Sequence, residues 1–181
     1  MKKILFVLIT TLSISTYSQD VFVYNESGLT DYVIINIDSL PQDVLFNKTI
    51  NWIKDNYKNP DKVINAEIEN TKLRFTGIQQ NALNYIYLGK NFHADVRYSI
   101  EIYFKDNKIK FDPISLEMYG PPNSSIDLTS NKWLYKKNGK LKSILESYPQ
   151  DIEDVFNNLT ASLNMFLLKQ SGIIEDKKDN W

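Results

Sequence analysis

Between Ala94 and Tyr119, apolar and polar residues alternate along two runs that meet at Lys105-Asp106-Asn107-Lys108. Period-two alternation marks half-buried strands, and a two-residue Asp106-Asn107 turn tolerant of positive φ predicts a hairpin between them. This register sets Phe104 opposite Ile109 and Ile102 opposite Phe111 on the core side. Beyond Phe111 the inward residues become Ile114, Leu116 and Met118, so the phase slips by one residue. A β-bulge near Asp112-Pro113 supplies the extra residue at a proline that cannot donate to the ladder. Ile100 then faces Ile114, Tyr98 faces Leu116 and Val96 faces Met118, and a one-residue shift would turn the whole apolar set outward.

The same reading extends to the rest of the chain. Residues 19–29 are polar apart from Phe22 and Tyr24 and read as a lead-in arm. Tyr32 to Asp38 is apolar on both parities, as an interior strand would be. Ser39 with Gln42 three residues on forms a capping-box signature, which opens a helix to about Tyr57. Its broad stripe holds Leu45, Thr49, Trp52, Ile53 and Asn56, widened by Phe46, Ile50 and Tyr57, and Asn59-Pro60-Asp61 stops it. A second hairpin turns at Asn70-Thr71, setting Ile68 opposite Leu73, Ala66 opposite Phe75 and Ile64 opposite Gly77. On its outer face Glu67 then meets Arg74 and Glu69 meets Lys72, while the later hairpin sets Arg97 across from Glu117. Asn81 to Phe92 reads equally as strand extension or loop. From Gly120 the pattern weakens into an excursion from the sheet, residues 120–148, with a loop at Pro121-Pro122-Asn123-Ser124-Ser125, a short strand at Trp133-Leu134-Tyr135 and a tight turn at Asn138-Gly139. Pro149 and Asp151 open a final helix over 149–171, with Ile152, Val155, Phe156, Leu159, Leu163, Phe166 and Leu167 at helical spacing. Residues 173–181 form a charged tail.

The predicted fold is α+β: an antiparallel sheet of about five strands in the order β-α-β-β-β-β-α, with two helices packed on one face. At 181 residues with 43% hydrophobic side chains, one domain over residues 19–172 accounts for the chain. Lys2 and Lys3 precede an apolar run from Ile4 and then small or polar residues to Ser18, the pattern of a signal peptide over 1–18. That run is too short and too rich in hydroxyls to stay in a membrane, so an exported, periplasmic or secreted protein is expected, without a transmembrane segment after cleavage. The chain has no cysteine, which removes disulfides, lipid-modified cysteine and thiolate metal sites. Losing Lys2 and Lys3 lowers the 21 basic residues to 19 against 22 acids, a net charge of about −3, which argues against nucleic acid as a partner.

Gln42 to Trp52, Asn59 to Ile64, Lys72 to Gly77 (KLRFTG) and Val96 to Phe111 with its Tyr98-x-Ile100-x-Ile102 strand resemble a secreted bacterial family known only as a domain of unknown function with a TATA-binding-protein-like fold. The likeness covers roughly residues 28–119. It implies the strand-helix-four-strand-helix layout and carries no activity or catalytic residues with it. The fold name alone does not carry function.

Candidate chemistry is sparse. His93 is the only histidine and shares a strand face with Asp95, which makes a small hydrolase using His93 and a nearby carboxylate the alternative reading. No metal-ligand spacing and no cofactor motif are present, and Asp151, Glu153 and Asp154 fit a helix first turn better than a calcium loop. The lysines of Lys136-Lys137-Asn138-Gly139-Lys140-Leu141-Lys142 fit a solvated turn or a phosphate-meeting cluster. Sequons at Asn25, Asn47, Asn123 and Asn158 carry little weight in a bacterial chain, two of them on predicted helices. The aromatics Tyr85, Tyr87, Phe92 and Tyr119 gather near one sheet end and could line a groove for a ligand. The leading expectation is therefore a non-enzymatic binding module for an envelope protein, peptide or glycan, using that aromatic connection and the excursion. A purely structural, self-associating envelope component is the third.

Overall fold

The computed structural model describes residues 20–120, 124–128 and 134–170. The predicted signal peptide, Pro121-Pro122-Asn123, Trp133 and the charged tail lie outside them. The chain forms β1 (Tyr24–Asn25), β2 (Gly28–Leu29), β3 (Val33–Asn36), α1 (Gln42–Asn56), α2 (Pro60–Val63), β4 (Ile64–Ile68), β5 (Lys72–Tyr87), β6 (Lys90–Lys105), β7 (Lys108–Gly120), β8 (Ser124–Asp127), a 3-10 turn at Ser143–Leu145 and α3 (Tyr148–Gln170). The main antiparallel sheet runs β3-β7-β6-β5-β4, with β8 also on β7. The α+β class holds, with six strands in place of about five.

The long hairpin pairs Phe104 with Ile109, Ile102 with Phe111, Tyr98 with Leu116 and Val96 with Met118, as alternation predicts. The bulge is one residue later than expected. Ile100 pairs with Pro113, so Ile114 is itself the extra residue and is 42% exposed instead of facing the core. In the β4–β5 hairpin the predicted register is wrong by one. Ile68 pairs with Lys72, Glu67 with Leu73, Ala66 with Arg74 and Ile64 with Phe75, because the turn takes three residues around Asn70 at φ 55°. Glu69 sits in that turn, and Lys72 and Arg74 bond instead to Glu101 on β6.

Other expectations change through tertiary partners. The predicted lead-in arm becomes the β1–β2 ribbon, and Phe22 and Tyr24 are buried, Phe22 against Phe111 and Phe156. β3 is an edge strand, not an interior one, and its double-sided apolar run is explained by Ile34 remaining half-buried beside β7. No Ser39 cap forms, since Ser39 adopts φ 66° and the cap residue is Pro41. The Gln42 N–H donates instead to Asp106 Oδ1 at 2.9 Å, across the β6–β7 turn. Asn56, predicted on the buried stripe, is exposed at the end of α1. Asn81 to Phe92 is strand extension, closing through Leu88 and Gly89, both at positive φ. Ser124–Asp127 returns to the sheet as β8, so the stretch after Tyr119 is in part sheet and not wholly an excursion. Tyr135 makes a single bridge to Leu141 around the Asn138-Gly139 turn, less than the strand predicted there.

Both long helices pack on one face of the sheet. From α1, Leu45, Phe46, Thr49, Trp52 and Ile53 are buried. From α3, Ile152, Val155, Phe156, Leu163 and Leu167 join them in one core with Leu73, Phe75, Tyr98, Ile100 and Ile102 of the sheet. Gly77 has a specific task in this core. A Cβ there would meet Tyr98 Oη at 2.5 Å, so its absence lets the Tyr98 ring lie over β5 toward α1.

Candidate functional site

One bulge in β5 and the arrival of α3 build the concave surface of the molecule. Gln79 pairs with Val96 and Leu83 with Ala94, which leaves three residues of β5 opposite Asp95 alone. Asn81 takes φ 52° in this bulge, and its N–H donates to Asp95 Oδ1 at 2.9 Å. The bulge carries β5 away from a straight ladder and opens a cleft of about 620 Å3 between α1, α3 and the sheet. Six of its sixteen lining residues carry side-chain amides: Asn56, Gln79, Gln80, Asn81, Asn84 and Asn158. Asp151 and Asp154 are the only charged residues lining it among the described residues.

The cleft floor is aromatic and hydrogen-bonded within itself. Tyr57 Oη and Tyr98 Oη lie 2.8 Å apart, Trp52 packs edgewise on Tyr57 and Phe75, and Trp52 Nε1 donates to Ser162 Oγ at 3.0 Å. Burial pushes both tyrosine hydroxyls above the usual phenol range, so both stay neutral and act only as hydrogen-bond groups.

Asn84 is the hinge between this cleft and a second, smaller one. Its N–H donates to Asp151 Oδ2 at 2.8 Å, its Nδ2 donates to Asp151 Oδ1 at 3.2 Å, and its carbonyl accepts from Ser147 Oγ at 2.8 Å. Because Nδ2 is committed to the carboxylate, Oδ1 is fixed as the group facing His93 Nδ1, 2.8 Å away, and the imidazole proton sits on Nδ1. The second cavity, about 290 Å3, is lined by Asn84, Tyr85, Ile86, Asn91, Phe92 and His93 from the sheet and by Ser143, Glu146 and Ser147 from the segment before α3. The aromatic connection and the end of the 120–148 stretch therefore line one cavity together.

The four predicted aromatics do not form one groove. Tyr85 and Phe92 stack at 5.6 Å with an interplanar angle of 21°, and Tyr85 also meets Tyr148 edgewise. Phe92 is 39% exposed, leaving part of the stack open to solvent. Tyr119 pairs with Asp95, which puts it on the opposite sheet face, and the Tyr87 side chain lies outside the described residues. His93 is exposed but borders the cavity, and it is bonded to Asn84, while Asp95 takes the Asn81 amide. Sequence reasoning missed Asn84, Asp151 and Ser147. Their contacts span 63 to 67 residues, and only a polar residue breaking the apolar parity of β5 signalled them.

Among the described residues no group of three or more His, Asp or Glu is placed to hold a metal ion, and no helix is long and apolar enough to cross a membrane.

Residues 32–116 match a family model described as a domain of unknown function (DUF4468) with TBP-like fold. Comparison with curated proteins finds no match. Among solved structures, a DUF4468 family protein from Bacteroides ovatus superposes with a TM-score of 0.61 at 12% identity, over 75% of this chain and 84% of that one. A TBP-like protein from Parabacteroides distasonis gives 0.55 at 13% identity, over 76% and 91%. At such identities the likeness establishes the fold.

Proposed function

Residues 32–116 belong to the DUF4468 family with a TBP-like fold, a family without an assigned activity, and from that premise we propose that the chain is an exported, non-enzymatic binding module of the bacterial envelope that holds a neutral glycan around Asn84. The observation that carries this is the pairing of an open aromatic stack, Tyr85 on Phe92, with a wall of amides and hydroxyls running from Asn91 and Ser143 through Asn84 to Asn158. Sugar rings offer apolar C–H faces to an aromatic surface and hydroxyls that both donate and accept, and primary amides answer both roles. Among the described residues neither lining includes Lys or Arg, which disfavours a phosphorylated or acidic ligand. Both hollows are of a size that binds small ligands.

The hydrolytic alternative has weaker support. His93 spends Nδ1 on an amide oxygen, Asp95 spends Oδ1 on a backbone N–H, and Ser147 donates its proton to the Asn84 carbonyl. The other imidazole nitrogen, Nε2, has no hydrogen-bond partner among the described residues and keeps its basic lone pair, but a general base must also stand in line with a nucleophile, and Ser147 directs its hydroxyl to the Asn84 carbonyl instead.

Titration calorimetry of the purified protein with a panel of neutral oligosaccharides is the test. Saturable binding is expected, weakened at least about tenfold, or about 1.4 kcal/mol, by Phe92→Ala with circular dichroism unchanged. Heat from peptides alone, or binding untouched by Phe92→Ala, would refute the glycan reading.

A further inference from the structure

The sheet face turned away from α1 and α3 has its own chemistry at the end nearest the β6–β7 turn. Strand register places Lys72 and Arg74 of β5, Lys105 of β6, and Lys108 and Lys110 of β7 together on it. Glu101 accepts from Lys72 and Arg74, and Asp112 accepts from Lys110, so five cations face two acids on the strands, an excess of +3 that becomes +2 once Asp106 of the adjoining turn is counted. Asp106, the acid in the adjoining turn, is directed instead at the N–H of Gln42. Further along the face Arg97 stands opposite Glu117, and Asp95 is held by Asn81.

Lys105 and Lys108 are direct cross-strand partners, and both are exposed. Like charges in that relation destabilise a hairpin, and local conflicts of this kind cluster at functional sites. With Lys110, Tyr103 and Ile34 they line a hollow of about 340 Å3. Apolar side chains flank it: Tyr32 is 49% exposed and carries Lys110 Nζ 4.8 Å over its ring, and Ile68, paired with Lys72, is 54% exposed.

We propose that this face docks on an anionic lipid surface, with a phosphate headgroup seated between Lys105 and Lys108 and with Tyr32, Ile34 and Ile68 reaching the boundary of the acyl layer. The charge and the shape both fit. A bilayer surface is flat, negative and backed by hydrocarbon, and this face is cationic with apolar side chains between its lysines. A phosphate there relieves the Lys105–Lys108 repulsion. The Asn84 surface, lined by residues of α3 and the segment before it, is separate, so the proposal stands or falls independently of the glycan reading.

Co-sedimentation of the purified protein with phosphatidylcholine vesicles containing about a third phosphatidylglycerol tests it. Binding is expected at low salt, absent with pure phosphatidylcholine and lost near 0.5 M salt, where the screening length falls to a few Å. At about fivefold per surface lysine, the double variant Lys105→Gln, Lys108→Gln should bind roughly 25-fold more weakly. It should keep or raise the thermal midpoint, because it removes a repulsion. The double variant Lys136→Gln, Lys137→Gln deletes equal charge from another exposed turn and should change binding less than about twofold. Equal losses from both double variants, no binding to anionic vesicles, or full competition by millimolar inorganic phosphate would overturn the proposal, the last by pointing to a free anion.

Discussion

Glu101 is a carboxylate on the sheet face that no helix covers, yet it is only 6% exposed, because the side chains bonded to it also cover it. Tyr103 Oη donates to Oε2, and Arg74 and Lys72 donate to Oε1, at 2.9 Å from Arg74 Nε and 3.2 Å from Lys72 Nζ. The Tyr103 hydrogen bond, with Arg74 and Lys72 outweighing the opposing cost of burial, lowers its pKa from 4.5 to about 2. A carboxyl depressed by folding stabilises the native state fully above its unfolded value and loses that contribution as pH falls through the folded one. The window here runs from about 4.5 down to about 2. Glu101→Gln should cost on the order of 1–3 kcal/mol at pH 7, a range discounted for the partial exposure of Arg74, and should flatten the stability profile across that window in urea melts at stepped pH. Reading residues alone assigned Arg74 and Lys72 to the wrong acids, because pairing in β4–β5 depended on a third turn residue. Glu69 is that residue, joining Asn70 at positive φ and Thr71 in the turn, and Asn-Thr in sequence does not distinguish a two-residue turn from a three-residue one.

At the scale of elements, α1 shows where local patterning stops. Its apolar stripe was readable from Leu45 to Ile53, since burial on one side of a helix repeats every three or four residues. Its start was not, because the cap comes from Asp106, 64 residues away in the chain. Asp106→Ala should therefore lower stability by about 1 kcal/mol through α1 although it sits in a β-turn. Hydrogen exchange should show the loss as faster exchange in the first turn of α1, with the β6–β7 ladder little changed. The register of that ladder near the turn was legible for the opposite reason: alternation on both strands and the turn residues agree, so only one pairing keeps Phe104, Ile109, Ile102 and Phe111 inside. Where Pro113 breaks the ladder, the pattern located the bulge but not which residue it expels, since Ile114 is as apolar as its neighbours. The candidate site was half legible on the same terms. Tyr85 and Phe92 stood out as aromatics, whereas the amide wall exists only once α3 has been laid against the bulge of β5.

The whole molecule depends on a helix beyond the stretch that matches the family model. Residues 32–116 include most of the sheet and all of α1, but Phe156 of α3 packs on both Phe22 and Tyr98, and Ile152, Val155, Leu163 and Leu167 are buried with it. Five such side chains represent roughly 10 kcal/mol of burial, comparable to the whole stability of a domain. A chain ending at Ser147 is therefore expected to lose cooperative unfolding and dispersed amide resonances. The pairing of β3 and β8 on one strand has a different consequence. β3 covers residues 108–111 of β7 and β8 covers 117–120, and between them stands Pro113, which has no N–H to offer. A neighbouring copy seeking to pair with β7 meets an occupied margin at both ends and a missing donor in the middle, so that only the short β3 and β8 are left as edges, which limits edge-to-edge aggregation on this side of the protein.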